Sequence, residues 1–192
     1  VSRSQGMLWK IECVRQRGVV PVQRLQTGDE IGRRLGQHRR RPAVGLAGAA
    51  QAQTGIPAEF MISQAALETG WGRREIRHAD GSTSFNLFGI KAGAQWRGPV
   101  AEVTTTEFVD GKAQKVTATF RAYSSYAESF ADYARLMKDS PRYAQVVAQG
   151  SDASGFAQGL QRAGYATDPA YADKLTRVIN TTLRLQRSSS QV

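Results

Sequence analysis

VAEVTTTEFVDGKAQKVTATFRAYSSYAESFADYARLM, residues 100–137, decides the fold class. Two runs, 100–109 and 114–123, are rich in Val, Thr, Phe and Tyr, alternate by face and flank Asp110-Gly111, a dipeptide that suits a tight hairpin turn. Immediately afterwards Ser125, with Glu128 three residues on, forms a capping box. It opens a helix that carries Phe130, Tyr133, Ala134 and Met137 at helical spacing. Pro141 marks the end of that helix. One antiparallel hairpin handing over to a helix points to an α+β protein. Working outward, the balance shifts towards helix. Pro57 opens a helix with Phe60, Met61, Gln64, Ala65 and Leu67 on its apolar series, and Gly70 stops it. Five glycines break residues 71–99 into short helix and loops. Two more helices are expected over 152–162, closed by Gly164, and from Pro169 to about Leu185, with Asp168 as N-cap. No repeat is visible, so the class is α+β, mainly helical, with a small antiparallel β-hairpin lobe.

The chain has 192 residues, 41% hydrophobic and 22% charged, which suits one globular domain with length to spare and excludes disorder throughout. Its longest apolar runs fall far short of the roughly 18–20 residues that a bilayer span needs, so no membrane span is expected. No cleavable signal is visible in the first thirty residues. Cys13 is the single cysteine and His38 and His78 are the only histidines, so neither a disulfide framework nor a metal site is expected, and no cofactor is called for. The net charge of +10 is uneven. Residues 1–50 carry ten Lys or Arg against three acids and one aromatic, Trp9, among the sixteen of the chain. Such a segment lacks material for a core. Three parts are therefore expected: a basic, solvated arm or linker over 1–47, a folded domain over 48–185 and a frayed tail over 186–192. Arg33, Arg34 and Arg39 to Arg41 offer an alternative reading as an anionic tether, but no specific nucleic-acid partner is expected.

The chemistry has to be sought among carboxylates, because the chain has no Gly-rich phosphate loop, no Ser-centred elbow and no Cys–His pair. Glu68 stands out. It follows Met61 and Ala65 at helical spacing, so it shares their partly apolar face, and it lies in the last turn before Gly70. Apolar surroundings and the negative end of the helix dipole both disfavour the charged form, which is what a general acid needs. A solvent-facing glutamate on an amphipathic helix fits the same pattern, and the pattern does not choose.

Four blocks carry a resemblance: Gln64-Ala-Ala-Leu-Glu68-Thr-Gly-Trp-Gly72, Phe85-Asn-Leu-Phe-Gly-Ile-Lys91, Thr104-Thr-Thr-Glu107 and Gly164-Tyr-Ala-Thr-Asp-Pro169. In order and spacing they resemble the muramidase domain of the FlgJ-type peptidoglycan hydrolases of glycoside hydrolase family 73, over about 48–185. The resemblance implies a lysozyme-like fold, an α-lobe and a small β-lobe flanking a groove. It also implies cleavage of the β-1,4 bond between N-acetylglucosamine and N-acetylmuramic acid in the periplasm, in wall remodelling during flagellar rod assembly. Peptidoglycan strands are then the expected partner, flagellar rod components a further candidate, and the enzyme a monomer. The arm is too short to match the rod-binding domain of such proteins, which leaves rod binding open.

Carried over residue by residue, Glu68 matches the catalytic acid, Glu107 the second acidic residue and Tyr165 a groove tyrosine. One carboxyl would protonate the departing oxygen while another activates water or stabilises the oxocarbenium-like transition state. Glu107 lies on a polar strand whose outward face is expected to be wet, which suits the ionised role. An exposed strand glutamate, with Glu102 nearby, is the plainer account, and the substrate's own N-acetyl group is a third candidate nucleophile. Tyr165 offers a ring for sugar stacking and a hydroxyl for the reaction centre. Trp96 is expected in the groove and Trp71 in the core, with Phe88 open to either role. Asn86 would either bond a sugar N-acetyl group or brace its turn. Lys91, Arg97, Lys112 and Lys115 would put positive charge near the groove or simply face solvent. Three functions follow: a hydrolase, a lytic transglycosylase-like enzyme using Glu68 alone, or a non-catalytic wall-binding protein.

Overall fold

The computed structural model describes residues 37–109 and 112–189. The expected turn at Asp110-Gly111, most of the arm (1–36) and the last three residues of the tail lie outside them. Helix α1 spans Gln37–Thr54 and α2 spans Ala58–Glu68. The boundary expected at residue 47 falls inside α1, and Ala47 itself is fully buried. The reason is compositional. The buried face of α1 is made of Ala47, Ala50 and Thr54 with Leu46 at its edge, mostly too small to announce an amphipathic helix yet small enough to let α1 pack closely on the helices beside it. Between α1 and α2 the chain turns at Gly55, whose φ of 76° favours glycine. Pro57 offers no side-chain cap, and the Oε1 of Gln51 accepts from the Ala58 amide instead at 2.8 Å.

Strands β1 (Val100–Val109) and β2 (Lys112–Arg121) form the antiparallel hairpin. The second strand begins two residues before the expected start. Lys91 bridges to Phe120 of β2, with the Ala92 amide on Thr119 O and the Arg121 amide on Ile90 O, both at 2.9 Å. Phe120 pairs in turn with Ala101, six residues before Glu107. Six residues of straight strand span about 20 Å, farther than a lysine and a glutamate side chain reach together. Lys91 and Glu107 nevertheless form an ion pair, and the Phe108 amide reaches Thr167 Oγ1 at 3.4 Å. The hairpin therefore curls back over the helical body.

That curl has a polar cost. Thr105 and Thr106 become almost fully enclosed, and their hydroxyls have no partner among the described residues. Thr106→Val keeps the shape and removes a buried unsatisfied group, so it should raise unfolding stability by about 1 kcal/mol. Urea denaturation at constant slope checks this; a lower midpoint would show that the hydroxyl is bonded after all.

Helix α3 (Tyr126–Asp139) starts at the expected cap, where Ser125 Oγ accepts from the Glu128 amide. Glu128 reaches back to the amide and hydroxyl of Ser124, one residue earlier than in a standard capping box, and those hydrogen bonds hold its carboxyl below the usual range. Pro141, expected only as a stop, opens a 3-10 turn (Pro141–Tyr143) that leads into α4 (Ala144–Val147). Helix α5 covers Ala153–Arg162 with Asp152 as its cap, and α6 covers Tyr171–Ser189. Residues 186–189, expected to fray, continue α6, and Gln186 donates to Glu59 Oε1 at 2.9 Å. No helix appears in 71–99. Helix α2 packs on α6 and α1, α5 on α6, and α1 on α3. At the centre the Phe88 ring stacks on Tyr133 at 4.1 Å and meets the Phe130 ring edge-on at 5.1 Å. The fold is mainly helical α+β, as expected.

Candidate active site

Helix α2 ends abruptly, and that end positions Glu68. Thr69 Oγ1 donates to Ala65 O at 2.7 Å and accepts from the Gly72 amide at 2.9 Å. Gly70, Trp71 and Gly72 then take φ values of 55°, 62° and 76° in succession. A left-handed tryptophan costs on the order of 1 kcal/mol, which the bond from its amide to Ala66 O helps to offset. Trp71, expected in the core, is only half-buried as a result.

Glu68 opens into a cleft whose walls include Lys91, Arg121, Arg142, Phe88 and Tyr165. It is the only carboxylate among the described residues of that lining, set among three cations. Tyr171, at the start of α6, donates its hydroxyl to Glu68 Oε1 at 2.9 Å. Burial, and next the Glu68 charge, hold the phenols of Tyr171 and Tyr165 well above their usual range, so both remain protonated donors. A half-buried carboxyl at a helix C-terminus, with one oxygen held by a phenol and a cleft in front of it, can deliver a proton to a bound oxygen.

Glu107 is brought to the same neighbourhood, but not as expected. The curl of the hairpin turns its side chain inward onto Lys91, leaving the two groups 15% and 11% exposed, so the wet outward face is absent. Lys91 thus joins the cleft wall to Glu107. Tyr165 lines the cleft, but its hydroxyl donates to Phe88 O at 2.6 Å and its ring lies parallel to Tyr171 at 6.2 Å. In this arrangement the hydroxyl serves the backbone and not Glu68.

The Asn86 side chain is buried and bonds only backbone: Nδ2 donates to Ile90 O and Arg121 O at 2.8 Å, and Oδ1 accepts from the Ile90 amide at 3.0 Å. It ties the Phe88 turn to the end of β2 and has no amide donor left to offer a sugar. The Phe88 ring is fully buried in the aromatic cluster, so it supports the cleft from behind and presents no stacking face. Trp96 is half-buried, donates to Pro99 O at 2.9 Å and lies outside the lining. Its ring backs the Arg121 guanidinium at 4.7 Å, so it bears on the cleft through that arginine. Arg97, Lys112 and Lys115 are exposed. Among the described residues no cluster of His, Cys, Asp or Glu could hold a metal ion.

Sequence reasoning passed over Gln64, Tyr133, Tyr171, Arg121 and Asp132. Gln64 did carry a signal: it is a polar residue on an otherwise apolar face, four positions before Glu68.

The chain resembles known proteins across this site. FlgJ peptidoglycan hydrolase of Escherichia coli (strain K12) is 55% identical over 130 residues, covering 68% of this chain and 41% of that protein. A mutant peptidoglycan hydrolase from Sphingomonas sp. A1 superposes with a TM-score of 0.70 at 49% identity, covering 75% of this chain and 94% of that one. The glycoside hydrolase domain of Salmonella typhimurium FlgJ superposes with a TM-score of 0.61 at 42% identity, covering 86% and 94%. The chain spans about two-fifths of the length of the FlgJ protein it matches. The family model for glucosaminidase, mannosyl-glycoprotein endo-beta-N-acetylglucosaminidase, matches residues 45–184, from the middle of α1 through α6 and across the whole cleft, and the chain belongs to that family.

Proposed function

We propose that this domain hydrolyses the β-1,4 bond between N-acetylglucosamine and N-acetylmuramic acid in peptidoglycan, with Glu68 as the acid that protonates the leaving oxygen. The observation that carries the reading is the held carboxyl of Glu68 at the mouth of a cleft lined by Lys91, Arg121 and Arg142. Three cations suit a glycan whose muramyl units bear acidic peptides. Glu107 is the second carboxylate, reached when the hairpin lifts it from Lys91, and Tyr165 shapes the cleft floor. The related FlgJ proteins, described as peptidoglycan hydrolases, support the substrate class, and on this reading the work is local wall remodelling in the periplasm during flagellar rod assembly. A monomer suffices for this chemistry, since the cleft is built within one chain.

One observation favours a second reading. Because Glu107 is paired with Lys91 and does not line the cleft, Glu68 could act as the single carboxyl, as in a lytic transglycosylase-like reaction. Mass spectrometry of digested peptidoglycan separates the two. Hydrolysis adds a water and leaves a free reducing end, whereas intramolecular attack by the muramyl C6 hydroxyl leaves an anhydro-muramoyl end, lighter by one water. A digest dominated by anhydro ends would overturn hydrolysis.

A further inference from the structure

Behind Glu68 runs a continuous line of hydrogen bonds. The Tyr133 hydroxyl donates to Gln64 Oε1 at 2.7 Å, Gln64 Nε2 donates to the Tyr171 hydroxyl oxygen at 3.2 Å, and the Tyr171 hydroxyl donates to Glu68 Oε1 at 2.9 Å. Tyr133 and Gln64 are fully buried and Tyr171 nearly so. Every donor points the same way, towards the carboxyl.

The direction is locked by the two ends of the Gln64 amide, one of which only accepts while the other only donates. Turning the amide over would aim its NH2 group at Tyr133, whose hydroxyl proton has no other acceptor among the described residues. A buried hydroxyl would then be left unsatisfied, at a cost comparable to a lost hydrogen bond. With the amide fixed, Tyr171 receives from Gln64, and its one proton goes to Glu68.

We propose that Tyr133, Gln64 and Tyr171 form a one-way relay that keeps Oε1 of Glu68 an acceptor, places the acid's proton on Oε2, and makes Gln64 and Tyr171 positioning residues for glycosidic protonation. The proposal rests on the reading of Glu68 as the acid. A carboxyl proton shared between two oxygens would meet the substrate only part of the time; a proton confined to Oε2 stands at one fixed position in every protonated molecule. Once it has left, the Tyr171 donor stabilises the carboxylate that remains. Among the described residues, the groups bearing on the Glu68 charge include Tyr133, Tyr165 and Tyr171 behind it and Tyr143, Lys91, Arg121 and Arg142 along the cleft. A Tyr→Phe change within the relay leaves all the cations in place.

The experiment measures kcat and KM against pH on soluble peptidoglycan fragments, using the full chain and the variants Tyr171→Phe, Tyr133→Phe and the double. Tyr171→Phe should lower kcat about tenfold or more while KM changes less than about twofold. Losing a donor to the charged form favours the protonated acid, so its alkaline limb should move up by about one pH unit. Tyr133→Phe should move the limb the same way by less. The double should match Tyr171→Phe alone, since Tyr133 acts only through Tyr171. A wild-type kcat and profile in Tyr171→Phe, or losses that multiply in the double, would overturn the relay. If Tyr171→Phe does not fold, an unmoved alkaline limb in Tyr133→Phe overturns it. Glu68→Gln separates the two levels: turnover retained there removes the acid and the relay together. An inactive Glu68→Gln beside an unaltered Tyr171→Phe removes the relay alone.

Discussion

Glu68→Gln should lower turnover of peptidoglycan fragments by about 1,000-fold, with the fold and glycan binding preserved. The substitution is nearly isosteric, and the new amide oxygen can still accept from the Tyr171 hydroxyl, so the side chain has reason to stay in place. What it lacks is a proton to release. Because the leaving oxygen of a sugar departs poorly unless protonated, no other described group lining the cleft restores the rate: Lys91, Arg121 and Arg142 supply charge but no carboxyl proton. Initial rates on soluble fragments, read beside an unfolding curve and a binding isotherm, test this. A rate above about a tenth of wild type is incompatible with Glu68 as the acid. A parallel loss of binding or cooperative unfolding would point to a structural role.

Features that depend on near neighbours in the chain were readable beforehand. The cap at Ser125 places its acceptor within three residues of the amide it serves, and Gly70 ends α2 through a turn confined to residues 69–72. Glu68 was visible for the same reason, since its face is set by Met61 and Ala65. Helix α1 was not, because alanine and glycine give little contrast between its faces, and its burial is decided by the helices packed on it. The surroundings of Glu107 were misjudged because alternation along a strand says which side a residue faces but not that the strand curls. Only the bridge of Lys91 to β2 and the reach of Phe108 to Thr167 reveal that. Tyr171 stands 103 residues from Glu68 in the chain, and no local pattern links them.

Asp132→Ala should destabilise the domain by about 3 kcal/mol, a large part of the usual 5–15 kcal/mol margin. Asp132 sits on α3, almost fully buried, and one of its oxygens accepts from both Arg121 Nη1 at 2.7 Å and the Tyr123 hydroxyl at 2.8 Å. The other accepts from Arg135 at 3.2 Å, an exposed partner that contributes little. Arg121 closes β2 and donates its Nε to Lys91 O, so this one carboxylate fastens the base of the hairpin to the helical body. Removing it strands a guanidinium that is about four-fifths enclosed, and a phenol whose burial and nearness to Asp132 already hold it above its normal range. The partial exposure of Arg121 puts the expected loss at the low end for breaking a buried pair. Asp132→Asn keeps an acceptor but not the charge, and should lose about half as much. Urea midpoints at constant slope measure both. The same variants should also slow turnover, because Arg121 lines the cleft and is held between Asp132 and the Trp96 ring. If Asp132→Ala costs less than about 1 kcal/mol, the hairpin is held by its backbone pairing to residues 90–92, and the ion pair is incidental.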